Sequence, residues 1–91
     1  MLRQSQLTVL IADDNGLFAR ALEALLDAEP SINIVGRALD GEEAARLAAE
    51  LSPDVILMDL SMPRLDGFDA TRRIRDQAPE TAIVVLTGSR D

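Results

Sequence analysis

Four short runs of branched apolar residues, separated by amphipathic stretches and stopped by acids, prolines or glycines, restrict this chain to very few folds. The runs are Thr8–Ala12, Ile32–Ala38, Val55–Met58 and Thr81–Thr87. The first, third and fourth lack polar alternation in their centres and read as strands buried on both faces, whereas polar residues interrupt the second, as expected nearer a sheet edge. Three helical segments lie between them. Strand and helix alternating with short loops call for right-handed crossovers and a parallel sheet, so the fold class is α/β.

The helical segments carry their own start and stop signals. In the first, Asn15 is the expected N-cap and Pro30 the stop, with Phe18, Leu22 and Leu25 joined by Leu17, Ala21 and Ala28 in an apolar band opposite Arg20, Glu23 and Asp27. The second opens on Asp40-Gly41-Glu42-Glu43, the spacing of a capping box, places Ala44, Leu47, Ala48 and Leu51 inward, and ends at Ser52-Pro53. The third is expected to be capped by Asp66-Gly67, with Phe68, Ala70 and Ile74 against the sheet. Its arginines 72, 73 and 75 form a solvated face balanced by Asp69 and Asp76.

Composition narrows the chemistry. The 91 residues make one domain, and with only two aromatic residues, Phe18 and Phe68, the core must be built from Leu, Ile, Val and Ala. A net charge of -7 disfavours a nucleic-acid contact by this segment, which would need a basic stripe. Cysteine and histidine are absent, which removes disulfides, thiol chemistry, imidazole catalysis and ordinary zinc sites. Carboxylate and hydroxyl chemistry remain. Neither a signal-peptide pattern nor an apolar run of membrane-spanning length is present, so a cytoplasmic location without membrane contact is expected.

Chemistry in an open α/β sheet gathers outside the carboxyl ends of its strands. Here those ends carry Asp13 and Asp14, Asp59, and Thr87. Singly, each has an ordinary explanation: Asp14 as a turn or cap acid, Asp59 as strand-end punctuation, and Thr87 as nothing in particular. If the first, third and fourth strands are neighbours, three carboxylates and a hydroxyl converge, and such crowding of like charge favours a neutralising cation. An all-oxygen donor set suits a hard ion such as Mg²⁺.

The stretches Ile11-Ala12-Asp13-Asp14, Val55 through Gly67 with its Met58-Asp59-Leu60-Ser61-Met62-Pro63, and Val85-Leu86-Thr87-Gly88 resemble the CheY-like receiver domain of two-component response regulators. The resemblance covers nearly the whole of residues 1–91, taken as one receiver domain, and its tone is most similar to the NarL/FixJ subclass. It implies a flavodoxin-like sheet and a phosphoacceptor role for Asp59. It further implies Mg²⁺ held by Asp13, Asp14, Asp59 and the backbone carbonyl of Ser61, and a switch hydroxyl at Thr87. The implied partner is a sensor histidine kinase, and the implied class is not an enzyme beyond slow self-phosphorylation and autodephosphorylation. The competing reading from another class is a phosphorylation-independent interaction or dimerisation module. An Asp-nucleophile phosphohydrolase is disfavoured, because such enzymes resemble Asp-x-Asp where this chain has Asp59-Leu60-Ser61.

A complete receiver resembles a five-stranded sheet of order 2-1-3-4-5. This sequence carries four strands and no lysine or tyrosine, so the family's phosphoryl-binding lysine and aromatic switch are expected to be lacking together with its fourth helix, fifth strand and fifth helix. Loss of one charge-assisted hydrogen bond acting in the transition state would slow phosphorylation roughly ten- to a hundredfold. The fourth strand would form an apolar edge, from which homo-oligomerisation by strand-four pairing or domain swapping is expected. A longer parent would carry a separate output domain, DNA-binding in the subclass it resembles.

Overall fold

The computed structural model describes residues 6–59 and 67–86. In chain order these form β1 (Leu7–Ala12), α1 (Gly16–Asp27), β2 (Ile32–Ala38), α2 (Gly41–Leu51), β3 (Val55–Asp59), α3 (Gly67–Gln77) and β4 (Ala82–Leu86). The four strands make one sheet of order β2-β1-β3-β4, and every pairing is parallel. The α/β alternation expected from the apolar runs is the architecture observed.

The two-residue period of the strands divides the core into two layers. Leu10, Ala12, Ile56 and Met58 face α2 and α3, where they meet Ala44, Ala45, Ala48, Ala70 and Ile74. Val9 and Ile11 point the other way, onto Ala19 of α1 with Leu22, Leu26, Val55 and Leu57 packed around them. Small residues along α2 let it lie close to the sheet and to α3 at once. Apolar burial of this kind contributes roughly 25 cal/mol per Å² removed from water, the main term holding the layers together.

The first helix turns a different arc inward from the expected one. Ala19, Leu22 and Leu26 pack on the sheet, whereas Leu17 is 80% and Leu25 71% exposed and Phe18 is also open to solvent. Apolar residues surround most of α1, so hydropathy alone leaves its docking arc undetermined. The small side chain of Ala19, fully buried, marks where the helix comes nearest the strands. A milder difference occurs in α2, where Leu51 is exposed and Ala45 is buried.

Caps follow the sequence closely. The Asn15 side-chain oxygen accepts from the Leu17 and Phe18 backbone N–H groups, both at 3.1 Å. Asp40 accepts from the Glu43 N–H at 2.8 Å, while the Glu43 carboxylate reaches back to the Leu39 N–H at 2.8 Å, one residue upstream of the usual capping-box partner. Ser52 ends α2 in the left-handed region (φ 46°, ψ 56°), and Pro53 follows. Among the ion pairs are Arg46 with Glu43 and Glu50 along α2, and Arg72 with Asp69 on α3. The expected Asp66 cap of α3 and the side chain of Phe68 lie outside the described residues.

A polar bracket ties the starts of β1 and β3 together at the edge of the sheet remote from the strand carboxyl ends. The Asp54 carboxylate accepts from the Thr8 N–H at 2.8 Å and the Thr8 hydroxyl at 3.0 Å. In return, the Asp54 N–H donates to the Thr8 carbonyl at 3.0 Å. Hydrogen bonds from the Thr8 backbone and then its hydroxyl hold the Asp54 carboxyl below its ordinary value of 3.8. A depressed folded-state value contributes stability above the unfolded value, and this is lost as pH falls through the folded one. Asp54→Asn should therefore be less stable than wild type at neutral pH, with the gap closing below about pH 4. Urea melts of both proteins across that range provide the measurement, and a gap that does not change with pH would count against the bracket.

Candidate functional site

Parallel register decides which side chains meet at the carboxyl ends of the strands. Ala12 pairs with Met58, so one step further along β1 and β3 Asp13 and Asp59 come out side by side. The turn from β1 to α1 is narrow: the Asp13 N–H donates to the Ala38 carbonyl of β2 at 3.0 Å, and the Asp13 carboxylate accepts from the Asn15 N–H at 2.7 Å. This Asx-type turn folds the chain directly into α1 and leaves Asp14 at the rim.

The outcome is a cluster in which one carboxylate oxygen from each of Asp13, Asp14 and Asp59 lies within 4.8 Å of the other two. Asp13 and Asp59 are nearly closed off, at 2% and 7% exposure, while Asp14 is open to solvent. Two carboxylates are therefore held by backbone and packing, and the third can adjust. The amino end of α1 begins at Gly16, immediately after the cluster, and its partial positive charge lies close to the acids.

The donor set fits a hard divalent cation. Oxygen ligands at about 2.0–2.1 Å place adjacent donors about 3 Å apart and opposite donors about 4 Å apart, so a spread of 4.8 Å closes around such an ion with a small contraction. Three protein oxygens supply part of the coordination such an ion takes, and its further positions call for other oxygen ligands.

Of the residues expected at the site, Asp13, Asp14 and Asp59 are brought together, whereas Ser61 and Thr87 lie outside the described residues. The described register does reach Asp59↔Leu86, so β4 runs alongside β3 up to the residue before Thr87. Asn15 caps α1 as expected, but the hydrogen bond that its backbone N–H donates to Asp13 was not anticipated from the sequence. The position of Asn15 directly after the acid pair and before a glycine was the available signal.

Comparison with known proteins agrees with this arrangement. The response regulator receiver domain family matches residues 9–91. The chain is 48% identical over 83 residues to the transcriptional regulatory protein LiaR of Bacillus subtilis, covering 91% of this chain and 39% of that protein. It is 49% identical over 82 residues to protein-glutamate methylesterase/protein-glutamine glutaminase 3 of Myxococcus xanthus, covering 90% of this chain and 23% of that one. The chain thus spans well under half the length of these curated relatives. Among solved structures, the response regulator domain of Thermotoga maritima CheB superposes with a TM-score of 0.87 at 38% identity, over 90% of this chain and 60% of that one. The signal receiver domain of the putative response regulator NarL from Mycobacterium tuberculosis gives 0.88 at 30% identity, over 96% and 70%. A parallel sheet in the order β2-β1-β3-β4, an acid cluster at its carboxyl edge and these matches agree: the chain belongs to the response regulator receiver domain family.

Proposed function

We propose that Asp59 is the phosphoacceptor of this receiver domain, with Asp13 and Asp14 serving as cation ligands beside it. The observation that carries the reading is the near-burial of Asp59 at the end of β3, with the Asp13 and Asp14 oxygens within 4.8 Å. Strand pairing holds the Asp59 carboxylate on the site, so its oxygen can attack phosphorus in line while the bond to a phosphohistidine nitrogen or an acyl-phosphate oxygen breaks. Mg²⁺ held by Asp13, Asp14 and Asp59 would supply positive charge to the transferring group. Phosphoryl transfer asks little covalent chemistry of a protein, and a set of fixed carboxylates without histidine or cysteine is sufficient to bind and position. The Ser61 backbone carbonyl as a further ligand and the Thr87 hydroxyl as the switch complete the proposal.

With acetyl phosphate and Mg²⁺, wild type should gain one phosphoryl group by intact mass and Asp59→Asn none. An equal gain in the variant, or none in wild type at long times, would sink the assignment. The expected donor in signalling is a sensor histidine kinase, with the domain acting as a cytoplasmic acceptor rather than a turnover enzyme. Attachment to an output domain, DNA-binding or catalytic as in the relatives, belongs to this reading.

A specific observation also favours self-association. β4 lies at the edge of the described sheet with Val84 46% and Val85 49% exposed, one on each face. An uncharged apolar edge is a template for a further strand. The 91-residue chain should therefore show a concentration-dependent dimer in light scattering, through β4 pairing or exchange of a terminal element; a monomer mass at high concentration would exclude this.

A further inference from the structure

The two edges of the described sheet differ as templates for another strand. β2 is interrupted: its register with β1 slips between Val9 and Leu10, so Val35 is an extra residue in the strand, and Arg37 follows, 3.9 Å from Glu23. A bulge and a charge are the usual guards of a sheet edge. β4 carries neither. Its residues Ala82–Leu86 pair with β3 without a break, from Val55↔Ala82 to Asp59↔Leu86, and none is charged or a proline. Val84, level with Leu57 on the α1 side of the sheet, and Val85, on the opposite side, are both half-exposed, so a strand can approach β4 in the plane of the sheet.

Hydrogen-bond parity decides what this edge offers. The Ala82 N–H donates to the Asp54 carbonyl, just before β3, at 2.9 Å. Successive residues of a strand turn their N–H and C=O groups to opposite sides, so Ala82, Val84 and Leu86 face β3, while Ile83 and Val85 carry the outward donors and acceptors. Thr81 would be the next outward residue, but its N–H is already spent on the Ala78 carbonyl at 3.0 Å. The free edge is therefore a pair of outward residues flanking Val84. Such an edge is its own complement when turned through half a revolution about Val84.

We infer that β4 docks on β4 of a second copy of this chain, antiparallel and centred on Val84, to give a closed two-fold dimer. The inference rests on the self-association reading above and commits it to strand pairing in one register. Ile83 of each copy exchanges both of its backbone hydrogen bonds with Val85 of the other, and Val84 meets Val84 as a pair without hydrogen bonds between them. Each chain has one open edge, so like meets like and assembly stops at two instead of growing into a filament. The product is a continuous eight-stranded sheet, four strands from each copy. Strand direction reverses across the axis and Leu86 is level with Asp59, so the two acid clusters lie at opposite edges of that sheet and neither is covered by the other copy.

The chain has no cysteine, so single cysteines read the register directly. Across the axis the two copies of position 84 bring their Cα atoms to about 4.5 Å, within disulfide reach, whereas the two copies of position 85 are diagonal neighbours at roughly 7–8 Å, beyond it. Oxidised Val84→Cys should therefore run as a linked dimer on a non-reducing gel and Val85→Cys as a monomer. In light scattering, wild type should give a dimer and nothing larger. Val85→Pro should give a monomer with the wild-type circular dichroism, because the N–H it removes points away from β3. The cysteine pair decides whether or not the proline variant folds. A wild type that stays monomeric overturns self-association itself, and this pairing with it. A dimer that links through position 85 as readily as through position 84, survives in folded Val85→Pro, or grows beyond two chains overturns the two-fold β4 pairing and leaves self-association standing.

Discussion

Adding Mg²⁺ should raise the thermal midpoint of the wild-type domain and leave that of Asp13→Asn almost unmoved. A ligand that binds only the folded state stabilises it by RT ln(1 + [L]/Kd), about 2.7 kcal/mol at a hundredfold excess over Kd, which for a domain this small is a shift of roughly 10–20 °C. The substitution is chosen to spare the fold. An asparagine oxygen still accepts the hydrogen bond that the Asn15 N–H makes to Asp13 at 2.7 Å, so the turn into α1 survives. What disappears is one of the two buried carboxylates of the cluster. Calorimetry with and without Mg²⁺ provides the reading; equal gains in the two proteins would mean that the cation binds elsewhere. Acetyl phosphate labelling of Asp13→Asn should fall in parallel, because Asp59 would remain in place without the positive charge that the transfer needs.

The acid cluster was legible in the sequence because its parts are strand ends. Once β1 and β3 are parallel neighbours in register, Asp13 and Asp59 have nowhere to go except beside each other. Local signals did equally well for Asn15 and Asp40 as caps, since a cap is decided within four residues. Choices made between distant segments were less legible. The arc of α1 that docks was misread because Leu17, Phe18, Leu25 and Leu26 are equally apolar, and only the approach of the sheet to Ala19 selects among them. The register shift between Val9 and Leu10, which leaves Val35 without a partner on β1, has no sequence cue that we recognise. The Asp54–Thr8 bracket joins residues 46 positions apart, and no periodicity in either segment announces it.

Ile56→Ala should be the most damaging simple truncation of the core, at about 2–5 kcal/mol, a large part of the 5–15 kcal/mol that such a domain commands. Ile56 is fully buried, paired between Leu10 of β1 and Ile83 of β4, and belongs to the layer under α2 and α3. The surrounding residues are held by two strands and two helices, so the cavity has little freedom to collapse, which places the cost toward the upper part of that range. Val84→Ala, on the exposed edge, should cost well under 1 kcal/mol in the monomer. The same strand that carries Ile56 carries Asp59 three residues later, so a loss of stability and a loss of site geometry must be told apart. Strand pairing continues beyond Ile56 to Asp59, and the acids are positioned from the far end of the strands. Ile56→Ala should therefore melt earlier yet keep the full Mg²⁺-dependent rise, whereas Asp13→Asn should keep its stability without Mg²⁺ and lose the rise. If Ile56→Ala loses both, the acid cluster depends on packing under β3 as well as on the backbone register that brings Asp13 to Asp59.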